Sequence, residues 1–116
     1  MSRPKHYLDE AEAPSRAEAD ALEGLVLLEF GTDWCGHCQA AEPAMAEVLA
    51  QHPHWHHVKI EDGPGRALGR SYHVKLWPTV VVLRDGQEVA RVVRPTQALA
   101  ISVALNDACQ CPRGPR

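Results

Sequence analysis

The chain carries one nearly continuous apolar run, Leu25-Val26-Leu27-Leu28-Glu29-Phe30, of the kind expected of a strand buried on both faces. Before it, residues 14–23 read as a short helix, with Pro14 in the first turn and Gly24 just past the end. After it, residues 35–51 are alanine-rich and helical, interrupted by Pro43. That proline lacks an N–H and its ring meets the preceding turn, so it is expected to kink the helix. His56 to Ile60 forms a second strand candidate, Asp62-Gly63-Pro64-Gly65 breaks the chain, and a short helix follows through about Tyr72. Thr79 to Leu83 is a β-branched strand, Asp85-Gly86 a hairpin turn and Glu88 to Val93 the returning strand. Residues 96 to about 109 close the chain as a helix, with apolar positions at Leu99, Val103 and 105–108. Residues 1–13 are weakly patterned and residues 110–116 fray, so both are expected to be poorly ordered tails. The order predicts a single α/β domain, a mixed sheet sandwiched by helices.

Composition narrows the class without naming it. With 116 residues and 45% hydrophobic content, the chain can bury a core without staples. Its apolar runs are too short to cross a bilayer. The polar start, Met1 to His6, lacks the apolar stretch of a signal peptide, so none is expected. A formal charge of −3 points to neither nucleic acid nor an anionic membrane as partner. The four cysteines fall in two close pairs, Cys35/Cys38 and Cys109/Cys111, unlike the spread framework of a small secreted scaffold. A cytoplasmic protein with a cycling disulfide is the expectation.

Trp34-Cys35-Gly36-His37-Cys38 holds the candidate chemistry. Two thiols one turn apart, after a strand and at a helix start, meet unpaired N–H groups and the positive end of the helix dipole. These favour a thiolate, the species that attacks disulfides. Cys35 is the expected nucleophile, with its sulfur partly exposed. Cys38, one turn deeper, is the expected resolving thiol. A zinc half-site is the alternative, and it would need a second pair of ligands from histidines or from Cys109/Cys111. His37, if protonated, would favour the Cys35 thiolate by Coulomb attraction; the alternative is a solvated loop residue. Glu29 lies in the apolar run, where burial would raise its pKa and suit it to take the Cys38 proton; the alternative is an outward salt bridge. His52, His54, His56 and His57 read as a solvated loop entering a strand, with metal binding as the alternative. Cys109-Gln110-Cys111 is a second dithiol, a metal clip or incidental.

In this set and order the residues resemble the thioredoxin-fold family over roughly residues 22–108. The WCxxC stands at a strand-to-helix turn, Pro43 follows the second cysteine by five residues, Pro78-Thr79 opens the next strand and Asp85-Gly86 falls at the hairpin. Glu29 matches the family's buried acid and Lys59 its lysine partner. The Gly36-His37 dipeptide is similar to protein disulfide isomerase. Three positions depart: Gly31 stands where an aromatic is usual, Trp77 precedes the proline, and Arg94-Pro95 replaces a glycine-containing loop. The resemblance implies a thioredoxin fold, a cis bond at Pro78, and thiol–disulfide exchange with Cys35, Cys38, His37, Glu29 and Lys59 as the chemical residues. Trp34, Gly36, Trp77 and Pro78 would meet an extended substrate, by strand addition beside an apolar platform. No cofactor or metal is implied. The implied partners are disulfide-containing proteins, with an external reductase or small thiol as electron donor, and the chain is expected to be a monomer. A disulfide oxidase or isomerase of an oxidising compartment, and a non-catalytic peptide-binding module, are the competing functions.

Overall fold

The computed structural model describes Pro4 and residues 6–110. Four strands, β1 (Leu25–Gly31), β2 (His56–Glu61), β3 (Thr79–Arg84) and β4 (Gln87–Val93), form one sheet in the order β2-β1-β3-β4. β1 pairs parallel with β2 and antiparallel with β3, which in turn pairs antiparallel with β4. Four helices accompany them: α1 (Arg16–Asp20), α2 (Gly36–Ala50), α3 (Ala67–Ser71) and α4 (Ala98–Gln110). No helix among the described residues is long and apolar enough to cross a membrane.

The apolar run became the inner strand because only there are both faces covered. Alternate residues point to opposite sides. Leu27, with Val80 and Val82, packs under Met45, Val48 and Leu49 of α2 and Ile101, Leu105 and Ala108 of α4. Val26, Leu28 and Phe30, with Val81 and Leu83, pack on the other face with Ala19 of α1, Leu68 of α3 and Tyr72. The hairpin is set by its turn residues. Asp85 (φ 51°) and Gly86 (φ 82°) both adopt the left-handed conformation that a tight two-residue turn requires. The Asp85 carboxylate also accepts the Gly24 N–H at 2.8 Å, tying the turn to the start of β1.

Three boundaries or faces differ from expectation. α1 is shorter than residues 14–23. Ser15 caps it, reciprocally bonded with Glu18, and Gly24 turns with φ 77° some residues beyond its end. α4 buries Ile101, Ala104, Leu105 and Ala108, an unbroken i, i+3, i+4, i+7 stripe, while Leu99 (70% exposed) and Val103 (49%) face outward. The segment before α1 is bound rather than loose. The Leu8 N–H donates to the Lys59 carbonyl and the Glu61 N–H donates to the Leu8 carbonyl, both at 2.8 Å. β2 lies at the sheet edge, so its outer backbone groups were available to capture this strap. Residues 111–116, including Cys111 and nearly all of the expected C-terminal tail, lie outside the described residues, and Gln110 ends α4.

Ile101→Ala is expected to destabilise the fold by about 2–5 kcal/mol, as for other fully buried aliphatic truncations. Leu99→Ala on the opposite face should change stability by about 0.5 kcal/mol or less. Denaturant melts of both variants check the assignment of the face.

Candidate active site

β1 ends at Gly31, and four residues later Cys35 becomes the N-cap of α2. Its backbone is extended (φ −78°, ψ 123°), and its sulfur turns inward to accept the Cys38 N–H at 3.4 Å. That inward turn leaves Cys35 8% exposed, more enclosed than its place at a helix start suggests. Burial pushes its thiol pKa up. Hydrogen bonds from the Cys38 thiol and from the backbone N–H groups of Cys38 and His37, with the positive charge of Arg94, outweigh burial and bring it below the ordinary cysteine value. Cys38 moves the other way. Burial and its bond to Cys35 push it up to about 11. The two sulfurs thus divide into a thiolate-forming group at the helix start and a thiol that keeps its proton.

Arg94 was not anticipated as part of this site. It sits at the end of β4 with φ 48°, its N–H donating to the Pro78 carbonyl at 2.8 Å and its Nε to the Trp77 carbonyl at 2.9 Å. The Trp77–Pro78 bond is cis, as the resemblance implied. Arg94 therefore clamps that turn and brings a fixed positive charge to Cys35. The only signal in the sequence was its departure from a glycine-containing loop. The His37 side chain is exposed, and what reaches the Cys35 sulfur from this residue is its backbone N–H. Trp34 and Trp77 meet edge to face, ring centroids 5.8 Å apart, with Trp34 72% exposed. The Trp77 Nε1 donates to Asp62 at 2.8 Å, which fixes its ring. Gly36 is exposed beside them with open space where a side chain would stand.

Glu29 is 1% exposed, on the sheet face that α2 covers. Its carboxylate accepts the Tyr7 hydroxyl at 2.5 Å and lies 2.8 Å from His57 Nε2. Burial alone would raise its pKa. The hydrogen bond and charge of His57, the Tyr7 bond and the Lys59 charge outweigh burial, so the group is held below the ordinary carboxylate range. The expectation of a raised pKa is thereby corrected. The expected ion pair is corrected too. Lys59 stands opposite Glu29 in register, but its Nζ pairs with Glu42 at 3.5 Å and lies 4.4 Å from the Tyr7 ring centre. His57 occupies the place by the carboxylate, because it shares the face of Lys59 two residues earlier on β2. It is buried rather than part of a solvated loop.

Of the second cysteine pair, Cys109 stands apart from this site. Cys109 is exposed and lines a cleft with Leu25, which begins β1, whereas Cys35 follows the end of that strand. A strand of this length spans roughly 20 Å. Cys111 lies outside the described residues. Among the described residues, no three histidine, cysteine or carboxylate side chains are grouped to hold a metal ion. The His52 and His54 rings are 6.1 Å apart, and His57 is engaged with Glu29.

Comparison with known proteins places this geometry. The thioredoxin family model matches residues 13–107. Thioredoxin of Chlamydia pneumoniae is 39% identical over 70 residues, 60% of this chain and 69% of that protein. An H-type thioredoxin of Fagopyrum esculentum is 32% identical over 69 residues, 60% of each. The solved structure of thioredoxin 2 from Pseudomonas aeruginosa PAO1 in its reduced form superposes with a TM-score of 0.80 at 60% identity, covering 90% of this chain and 94% of that one.

Arg94→Ala removes a side-chain cation that lowers the Cys35 pKa. The pH dependence of Cys35 alkylation by iodoacetamide is expected to shift upward, with the rate at neutral pH falling a few-fold. An unchanged profile would show that the helix start alone sets the thiolate.

Proposed function

The chain belongs to the thioredoxin family, whose chemistry is thiol–disulfide exchange, and we propose that it reduces or exchanges disulfides of protein substrates through Cys35 and Cys38. The observation that carries this reading is the placement of the two thiols: Cys35 caps the start of α2 with its sulfur accepting the Cys38 N–H at 3.4 Å, and Cys38 lies buried one turn deeper. The Cys35 thiolate attacks a substrate disulfide, forming a mixed disulfide and releasing one substrate sulfur as thiolate. Cys38 then loses its proton and attacks the Cys35 sulfur. The Cys35–Cys38 disulfide forms and the second substrate sulfur leaves. Glu29 serves as the proton acceptor of this second step, held in place by His57 and Tyr7. The edge-to-face pair of Trp34 and Trp77, with Gly36 and the cis Pro78, supports docking of an extended polypeptide beside Cys35. Electrons return from an external reductase or a small thiol, no cofactor takes part, and the protein works as a monomer in the cytoplasm.

A second reading, an oxidant or isomerase, is favoured by the Gly36-His37 dipeptide between the two cysteines. A cationic His37 stabilises the reduced pair and makes the disulfide more oxidising. The reduction potential in a Cys109→Ser/Cys111→Ser background, measured against glutathione buffers, separates the two. A value above the roughly −270 mV of a thioredoxin, moving toward the roughly −180 mV of the isomerase, is expected. His37→Pro should lower it, and no change would remove His37 from the tuning. Cys38→Ser should trap a mixed disulfide with substrate protein. If nothing is trapped and Cys35→Ser keeps full cellular function, the protein is a binding module.

A further inference from the structure

The N-terminal strap brings a hydroxyl to the reacting sulfur. Leu8 is stitched to the outer edge of β2, which places Tyr7 on the same sheet face as Lys59 and Glu29. The Tyr7 ring then crosses toward Gly31. A Cβ on Gly31 would lie 2.5 Å from the Cys38 sulfur and 2.9 Å from the Tyr7 hydroxyl, so the two groups converge on one bare backbone position. Any side chain at residue 31 would drive them apart. The same hydroxyl donates to Glu29 Oε2 at 2.5 Å. Tyr7 and Cys38 also line one cleft of about 210 Å³ with Thr32, Asp33, Gln39, Glu42 and Lys59.

We propose that the Tyr7 hydroxyl carries the proton between Cys38 and Glu29 during the second step of exchange. In the reduced protein the hydroxyl donates to the Glu29 carboxylate while the Cys38 S–H is engaged with Cys35; once Cys35 is tied up in a mixed disulfide, the S–H turns to the nearby Tyr7 oxygen. As Cys38 attacks the Cys35 sulfur of a mixed disulfide, the thiol proton passes to the Tyr7 oxygen while the hydroxyl proton passes to Glu29 Oε2. The Cys38–Cys35 bond forms, the Cys35–substrate bond breaks, and the substrate leaves as a thiolate that takes a proton from water. Tyr7 ends as a neutral hydroxyl facing Cys38, and Glu29 ends as a carboxylic acid. Run backwards, the path reprotonates Cys38 when the electron donor opens the disulfide.

The groups facing the relay fix its timing. They are Cys38 and Glu42 of α2, Asp33 of the preceding turn, Glu29 of β1, and His57 and Lys59 of β2. Burial and the Glu29 charge push the Tyr7 pKa far above its ordinary value, so the residue hands protons on without becoming a phenolate. With Cys35 free, transfer to Glu29 is uphill and Cys38 keeps its proton. Once Cys35 is tied up in a mixed disulfide, its charge and hydrogen bond no longer hold the Cys38 pKa up, and the transfer becomes accessible.

The inference rests on the dithiol reading and is tested with dithiobis(nitrobenzoate) in the Cys109→Ser/Cys111→Ser protein. The first nitrothiobenzoate released reports attack by Cys35, and the second reports displacement by Cys38. Tyr7→Phe is expected to slow the second release by about 100-fold, the low end for a positioned proton carrier, and to leave the first within about 2-fold. Its second release should become steeply dependent on pH, and Tyr7→Phe should add nothing in a Glu29→Gln background. An unchanged second release, equal slowing of both releases, or multiplying effects of the two substitutions would overturn the relay. A proton inventory of the second release needs no change at Tyr7 or Glu29. Two protons moving together give a bowed dependence on deuterium content, and a straight line would contradict the relay. If no nitrothiobenzoate is released at all, the dithiol reading itself fails and the relay falls with it.

Discussion

A carboxylate buried beneath α2 is the constraint around which this molecule is arranged. An unpaired charge in that position would cost several kcal/mol, so its oxygens must find donors. Glu29 finds them on two segments distant in sequence: the Tyr7 hydroxyl and the His57 ring. The parallel pairing of β1 with β2 sets His57 and Lys59 on the carboxylate's face. The bare edge of β2 captures the strap that carries Tyr7. Gly31, two residues beyond Glu29 and on the same face, leaves room for the phenol and the Cys38 sulfur together. The buried acid, the free edge and the missing side chain therefore form one structural unit.

From that unit follows the inequality of the two sulfurs. Cys35 belongs to the helix start, where backbone N–H groups and Arg94 favour its thiolate. Cys38 belongs to the buried side, where burial and the Cys35 sulfur make losing a proton costly. A dithiol that attacks with one sulfur and releases with the other needs this asymmetry. If both thiols ionised readily, Cys38 would compete for the first attack; if neither did, exchange would stall.

Much of this could be read along the chain because it is set by near neighbours. The buried strand shows in six consecutive residues, the hairpin in Asp85-Gly86, and the reactive pair in Trp34 to Cys38. What escaped depends on pairing between distant segments. Residues 1–13 lack a pattern of their own, and Tyr7 gains its place only from the β2 edge. His57 sits among four histidines that look solvent-facing, and only register with Glu29 distinguishes it. The Lys59–Glu29 pair was expected from family position alone, and the hydrogen-bonding geometry gives that place to His57. In α4, of the apolar positions read along the chain, Leu105 and Ala108 are buried while Leu99 and Val103 face outward, because the 3.6-residue period selects Ile101, Ala104, Leu105 and Ala108.

The ionisation of Glu29 decides whether hydrogen bonding or burial governs the site. The carboxyl carbon of Glu29, assigned in the reduced protein by its loss in Glu29→Gln, can be followed by carbon-13 NMR as a function of pH. The expected result is a carboxylate throughout the neutral range that protonates only below the ordinary value of 4.5. Protonation well above that value would mean that burial prevails over His57, Tyr7 and Lys59, and would contradict the arrangement described.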